Sequence, residues 1–297
     1  MKVLHLNTFD IRGGAARAAY RIHTALRTSG IQSEMLVACK DSFDNSVKAY
    51  DVPFLQRKRK FSQKILTLQK TANPTFHSCN VFPTGIYKEI NQSDADVVHF
   101  HWIGYDLISI AEVRKISKPI IWTLHDMWAF CGAEHYDNIH SPGRYLFRYT
   151  RKNRTDGYKG KIDVDAWVWR LKKRYWHNIN FTFVSPSRWL GNCLSESALF
   201  SGKKYSVIPN CINTDAFRPK ERRAERDFFQ LPQDKKLILF GADGGGVNPL
   251  KGYHLLKAAL EYYAATHSIE HVECAVFGGA EKGCSYISGI PVTEVGR

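Results

Sequence analysis

Three short stretches combine residue types and spacings that suit chemistry on a phosphorylated ligand. Gly13-Gly14 stands between an apolar run, KVLHLNTF, and an alanine-rich helical run. Glycines there let backbone amides approach a phosphate at a helix N-terminus, although a tight strand-to-helix turn also needs them. The G-x-G-x-x-G spacing of dinucleotide sites is absent, and the next strand ends Ala38-Cys39-Lys40 without a ribose-binding acid. A second glycine turn, DGGGVNPLKGYHLL, follows LILFGA, where Lys251-Gly252 offers a cation to a diphosphate. It is not a Walker loop, because the lysine precedes its glycine; a flexible loop with a solvated lysine is the alternative. His125-Asp126 closes PIIWTLHD at the carboxyl end of an apolar strand, where open α/β sheets bind ligands. A histidine ending the strand and an aspartate opening a turn would look the same.

Other candidates carry less. His99 and His101 share one face of the strand DVVHFHW, as metal-binding His-x-His does. No further cluster completes a metal set, so packing or contact with an acceptor is favoured. Of two Asp-x-Asp matches, Asp94–Asp96 precedes a strand, at the amino edge of its sheet, and Asp163–Asp165 precedes a helix, where N-capping explains it. No metal is assigned. On the helix 164–176, Trp169 and Trp176 fall beside Lys172, away from a stripe of Val164, Val168, Leu171 and Tyr175. Basic residues with exposed tryptophan suit an anionic membrane surface, and a core-packed helix with a solvated basic side fits equally. No nucleic-acid module accompanies them.

The elements that must position these residues read as repeated βαβ units. KVLHLNTF is a strand, AARAAYRIHTALRTSG a helix and QSEMLVA a strand, which implies a parallel sheet. Residues 41–93 are polar and irregular, with a helix expected near 55–70. Strands DVVHFHWI and PIIWTLHD flank a helix near 108–116. A long loop over 131–163 precedes the helix VDAWVWRLKKRYW. Strand FTFVSPS, a serine-capped helix SRWLGNCLSES and strand YSVIPN then close a first domain. The reading is therefore an N-terminal Rossmann-like domain over 1–209, a linker over 210–234 and a partial second domain over 235–297. That last part holds strand KKLILFGA, helix GYHLLKAALEYYAAT, strand VECAVFGG and a final strand at VTEVGR.

Bulk properties narrow the partners. With 297 residues and 44% hydrophobic content the chain builds real cores. No run approaches a membrane span and no signal peptide is recognised, so a cytoplasmic location is expected, with peripheral attachment to the inner membrane face. Seven singly scattered cysteines argue for reduced thiols. The net charge of +14 calls for an anionic partner, and the basic excess is concentrated in 55–70 and 144–174.

The segments LNTFDIRGGAARAAYRIHTAL, DVVHFHWIGYDL, PIIWTLHDMWAFCGAEHY, FVSPSRWL, VIPNCINTDAFRP and FGA…KGYHLL together resemble bacterial family 4 glycosyltransferases of the GT-B fold. Within that family the colanic-acid and exopolysaccharide group is the most similar. The resemblance implies two Rossmann-like domains facing a cleft and a retaining, metal-independent hexosyltransferase without a cofactor. A UDP- or GDP-linked sugar would be the donor, and a polyprenyl-diphosphate-linked glycan or oligosaccharide the acceptor. Carried onto this chain, Gly13 and Gly14 approach the donor phosphates with Lys251 and Gly252, and His125 of the His125-Asp126 pair contacts the transferred sugar. The chain departs from the family at Leu250, which stands beside Lys251 where an arginine usually lies upstream, and at Asn210-Cys211, usually Asn-Gly. It also lacks the family's Glu-x7-Glu segment, expected beyond Arg297. Two rival readings remain: a truncated, catalytically inactive fragment that docks on acidic membrane, and a metal-dependent hydrolase built on His99, His101 and His125.

Overall fold

The computed structural model describes residues 1–71, 73–137, 143–154, 162–244, 246, 248–279 and 281–296. Two compact units divide the chain, Met1–Asn213 and Thr214–Arg297.

The first unit opens with β1 (Lys2–Phe9), α1 (Gly14–Thr28), β2 (Gln32–Cys39), β3 (Val47–Ala49), α2 (Leu55–Thr67) and α3 (Ile86–Gln92). There follow β4 (Val97–Phe100), α4 (Ile110–Val113), β5 (Ile120–Thr123), α5 (Arg144–Phe147), α6 (Val164–Trp176), β6 (Phe181–Ser185), α7 (Arg188–Glu196) and β7 (Tyr205–Val207). Its seven strands lie in the order β3-β2-β1-β4-β5-β6-β7, and every neighbouring pair is parallel. The chain winds outward from β1 to β3, then restarts on the other side with β4. The order therefore reverses between β1 and β4, and the carboxyl ends of those strands are where such a sheet binds ligands.

Side-chain alternation along β1 sorts the two faces. Leu4 and Leu6 enter the main core with Val98 and Phe100 of β4, Trp122 of β5 and Phe181 and Phe183 of β6. His5 points the other way and is registered against His99. Trp176 reaches the core from α6 and meets Trp122 edge to face at 5.5 Å. Glu112 is buried without a cation: its carboxylate accepts N–H bonds from Thr84, Gly85 and Ser109, so one side chain caps both α3 and α4.

The structure corrects several expectations. Trp169, Trp176 and Lys172 of α6 are 4%, 1% and 0% exposed, so this side of α6 packs into the core and these two tryptophans offer nothing to a membrane. Lys172 Nζ donates to the backbone carbonyls of Trp128, Cys131 and Gly132, closing the turn after β5. Three elements, β3, α3 and α5, lie where only loop was expected. Asp156, Lys159 and Lys161, counted in the basic stretch, lie outside the described residues. Ser187 does cap α7, its side chain accepting the Leu190 N–H.

The second unit begins with α8 (Arg222–Phe228), inside the segment read as linker and capped by the Glu221 carboxylate. It continues with β8 (Lys236–Gly241), α9 (Tyr253–Thr266), β9 (Val272–Phe277), β10 (Lys282–Ile287) and β11 (Ile290–Gly296). The sheet order is β10-β11-β9-β8. β8 and β9 are parallel, as are β9 and β11, whereas β10 returns antiparallel to β11. Ser288 and Gly289 form that hairpin with φ of 47° and 83°, the left-handed pair that matches strand twist. β10 was not expected. A small core of Leu260, Val272, Cys274, Val276, Ile287, Ile290 and Val292 holds the unit.

Candidate functional site

Gly13-Gly14 follows β1 at the edge where the strand order reverses. Gly13 has φ 84° and ψ 172°, a conformation open to glycine alone. It delivers the chain into α1 with no side-chain cap and no acid in the first turn, so the first helical amides face outward with their positive end unanswered. Asp10 anchors the approach by accepting the N–H groups of Ile11, Asp41 and Ser42. Burial works to raise its pKa, but those hydrogen bonds prevail and hold it below the usual range.

Two strands along the same edge, His125-Asp126 follows β5. Asp126 Oδ2 accepts from Trp102 Nε1 at 2.8 Å and from His135 Nδ1 at 2.5 Å, and Oδ1 accepts the Trp128 N–H. Burial acts to raise the Asp126 pKa, yet the His135 charge and these donors outweigh it and keep the group ionised. His135 Nε2 in turn meets Ser78 Oγ at 2.9 Å. A Cβ on Gly104 would lie 2.9 Å from the His135 ring, so only glycine fits there. The recess bounded by these groups has about 10 Å³ of free space, room for about one water. The pair is thus a braced floor, with Asp126 serving as the positioning residue.

Behind that floor runs a string of imidazoles. His125 Nε2 meets His101 Nδ1 at 3.1 Å, and His101 Nε2 meets His5 Nδ1 at 2.9 Å. His5 Nε2 is buried without a partner among the described residues. His99 bonds Thr123 Oγ1, and His23 bonds Ser33 and Ser46. Burial lowers all five: His23, His99 and His125 to about 4, and His5 and His101 well below the ordinary value. Neutral imidazoles in a row must all donate the same way. A buried orphan acceptor is better tolerated than an orphan N–H, so the lone pair belongs on His5 Nε2. His5 then donates to His101, His101 donates to His125, and His125 keeps its proton on Nδ1. The site presents a neutral histidine donor.

His99 and His101 are therefore bound into packing and relay, and His5 joins them to make a three-nitrogen group that the sequence pattern did not disclose. Asp94 pairs with Lys2 Nζ at 2.7 Å, and Asp96 accepts the Lys2 backbone N–H. Asp163 caps α6 by accepting the Ala166 N–H, while Asp165 turns elsewhere. The sequence reading also missed His135 and Ser78. The histidine nine residues after Asp126, in the turn after β5, was the available signal for the former.

In the second unit, Lys251 is exposed at the end of a short 3-10 turn, Pro249–Lys251, capped by Asn248. Gly252, at φ 78°, starts α9 without a side-chain cap. Both lie between the carboxyl end of β8 and α9, the place that Gly13-Gly14 occupies in the first unit. Gly245 of this loop lies outside the described residues.

A parallel sheet with an open glycine turn at its reversal point, and a histidine two strands along the same edge, defines a ligand-binding α/β protein of the doubly wound class. The sequence matches Glycosyltransferase Family 4 over residues 12–216, and the chain belongs to that family. Its fold is similar to Anabaena Alr3699/HepE, solved in complex with UDP-glucose, with 12% identity and a TM-score of 0.54 over 93% of this chain and 60% of that one. A glycosyltransferase from Rickettsia africae ESF-5 gives 14% identity and a TM-score of 0.51 with the same coverage. This chain thus spans 60% of the length of either structure. No curated protein matches it.

Proposed function

We propose that this protein transfers a hexose from a nucleotide-diphosphate sugar, UDP- or GDP-linked, to a lipid-linked or oligosaccharide acceptor in exopolysaccharide or cell-surface glycan synthesis. The observation that carries the reading is the neutral His125 braced beside the strand reversal, two strands from an uncapped glycine turn. A neutral N–H suits a sugar hydroxyl, and open helix amides suit a phosphate. Family membership and the UDP-glucose complex of Alr3699/HepE support the donor class.

In this reading the leaving diphosphate is neutralised by helix-end amides and fixed cations in place of a divalent ion, and transfer proceeds with retention; the Gly13-Gly14 turn offers such amides in the first unit, and Lys251 with Gly252 offers the like in the second. His125 orients the sugar and Asp126 holds the floor beneath it. A cavity of about 550 Å³ beside β2, β3 and the start of α2, lined by Cys39, Tyr50, Phe54 and Arg57, supports an acceptor site. The exposed Phe54, Phe61 and Leu68 of the basic α2 segment support peripheral contact with an anionic membrane, where each Lys or Arg adds about 1 kcal/mol. Among the described residues no helix is long and apolar enough to cross a membrane.

The test is a panel of UDP- and GDP-sugars with purified protein, read as sugar transfer or donor hydrolysis. His125→Ala should lower kcat by about 100-fold, the worth of one strong hydrogen bond in the transition state. Absence of donor binding or turnover across the panel, with His125→Ala indistinguishable from wild type, overturns the reading.

A further inference from the structure

A second constellation sits below the braced floor. Segment 75–78 runs against residues 133–135: His77 and Glu134 form a bridge, Ser78 N–H bonds Ala133 O and His135 N–H bonds Phe76 O. Asp165, in the first turn of α6, completes a triangle with them. One donor atom from each of His77, Glu134 and Asp165 lies within 4.8 Å of the other two, and His77 Nε2 stands 3.7 Å from Asp165 Oδ1.

The outward-facing atom of every member is already engaged. His77 Nδ1 meets the Thr75 carbonyl at 2.6 Å. A carbonyl only accepts, so Nδ1 donates there and Nε2 is the nitrogen that faces the two carboxyl groups. Glu134 Oε1 accepts from the Tyr149 hydroxyl. Asp165 Oδ2 accepts from Gln69 Nε2 at 2.7 Å, while Gln69 Oε1 accepts the Asp165 N–H. What converges is one imidazole nitrogen and carboxyl oxygens. Glu134 is 3% exposed, and its Oε2 and His77 Nε2 are buried with no hydrogen-bond donor among the described residues. Lys172, the neighbouring buried cation, directs its protons to three backbone carbonyls.

We propose that His77, Glu134 and Asp165 bind a divalent cation of the zinc class, which ties the segment after β5 to the start of α6. The nitrogen and two oxygens form a donor set that zinc accepts at about 2.0–2.2 Å, with a fourth position left for water. Tetrahedral bonds of that length bring donors to roughly 3.4 Å apart, so each must move inward by less than about 1 Å. Tyr149, Gln69 and the Thr75 carbonyl are the outer partners that such ligands require. The site is structural and separate from the diphosphate chemistry proposed above: it stands or falls whether or not the protein transfers sugar.

The experiment is elemental analysis of the full chain purified without chelator, followed by thermal melts with EDTA and with restored zinc. About one equivalent of zinc per chain is expected, with Tm lowered by EDTA and recovered by zinc. Glu134→Gln and His77→Gln should each retain a wild-type far-ultraviolet spectrum and lose the metal, falling below about a tenth of an equivalent. If Glu134→Gln fails to fold, His77→Gln carries the reading. Metal-free protein whose Tm ignores EDTA and added zinc overturns the proposal and leaves the two carboxyls sharing a proton. Zinc that survives both substitutions is bound elsewhere and overturns it equally.

Discussion

Acidification should unfold the first unit through its histidines. His99 is held neutral to about 4, whereas the unfolded imidazole titrates near 6.5. Between those values the unfolded chain binds more protons, so stability is complete above about pH 6.5 and is lost as pH falls towards 4. From about pH 7 to about pH 5 one such imidazole costs about 1.8 kcal/mol, from the ratio of the two binding curves at about 1.36 kcal/mol per unit. His5 and His101, whose pKa values burial also lowers, add to the loss in the same direction. His23 and His125 act in the same direction. Glu134 and Asp106, whose pKa values burial raises, oppose it in the metal-free protein. The His99 contribution alone is a sizeable share of the roughly 5–15 kcal/mol that stabilises a domain. Urea titrations followed by tryptophan fluorescence at the two pH values measure it. His99→Gln keeps a partner for Thr123 and removes one titrating group, so its stability-versus-pH slope should be one proton shallower. A midpoint that ignores pH across this window, or a slope unchanged in His99→Gln, would refute the reasoning.

Two substitutions probe the elements around the site. Gly13→Ala forces a side chain into φ 84° and ψ 172°. It should cost about 1–3 kcal/mol in urea stability, with donor KM raised if the turn holds phosphate. Lys172→Met fills the same space but strands the carbonyls of Trp128, Cys131 and Gly132. A loss of about 3–5 kcal/mol is expected, seen as a lowered Tm, and a neutral outcome would show that water replaces the ammonium.

Legibility followed sequence distance. The parallel sheet was readable because its strands are continuous apolar runs separated by helical periodicity, and Ser187 announced α7. Short elements escaped: β3 has three residues, and β10 spells KGCSYI, an exposed edge strand with no alternation to reveal it. Yet Ser288-Gly289 is a hairpin signal that could have located β10. On α6 the error lay in treating the tryptophans as a second, wet face. They widen one apolar face until it includes Lys172, whose charge is answered by carbonyls from a turn some forty residues earlier. Of the candidate site, the positions of Gly13, Gly14 and the His125-Asp126 pair at strand ends were visible. His5, Ser78 and His135 were not, because strand register and loop packing bring them there: His5 meets His101 from 96 residues away.

The position of β1 in the middle of its sheet bears on biosynthesis. β2 reaches the ribosome exit soon after β1, since Lys2 is registered against Gln32. The other flank of β1 waits for Val97, registered against Val3. At about 5–20 residues per second the stretch from the end of β2 at Cys39 to Val97 takes on the order of 3–12 s. Throughout it, a nascent βαβ hook displays a row of unsatisfied amides and carbonyls with apolar side chains beside them. Chaperone demand during translation should peak before codon 97 is read and fall once β4 docks, so slowing elongation upstream of that point would raise aggregation without altering the finished molecule.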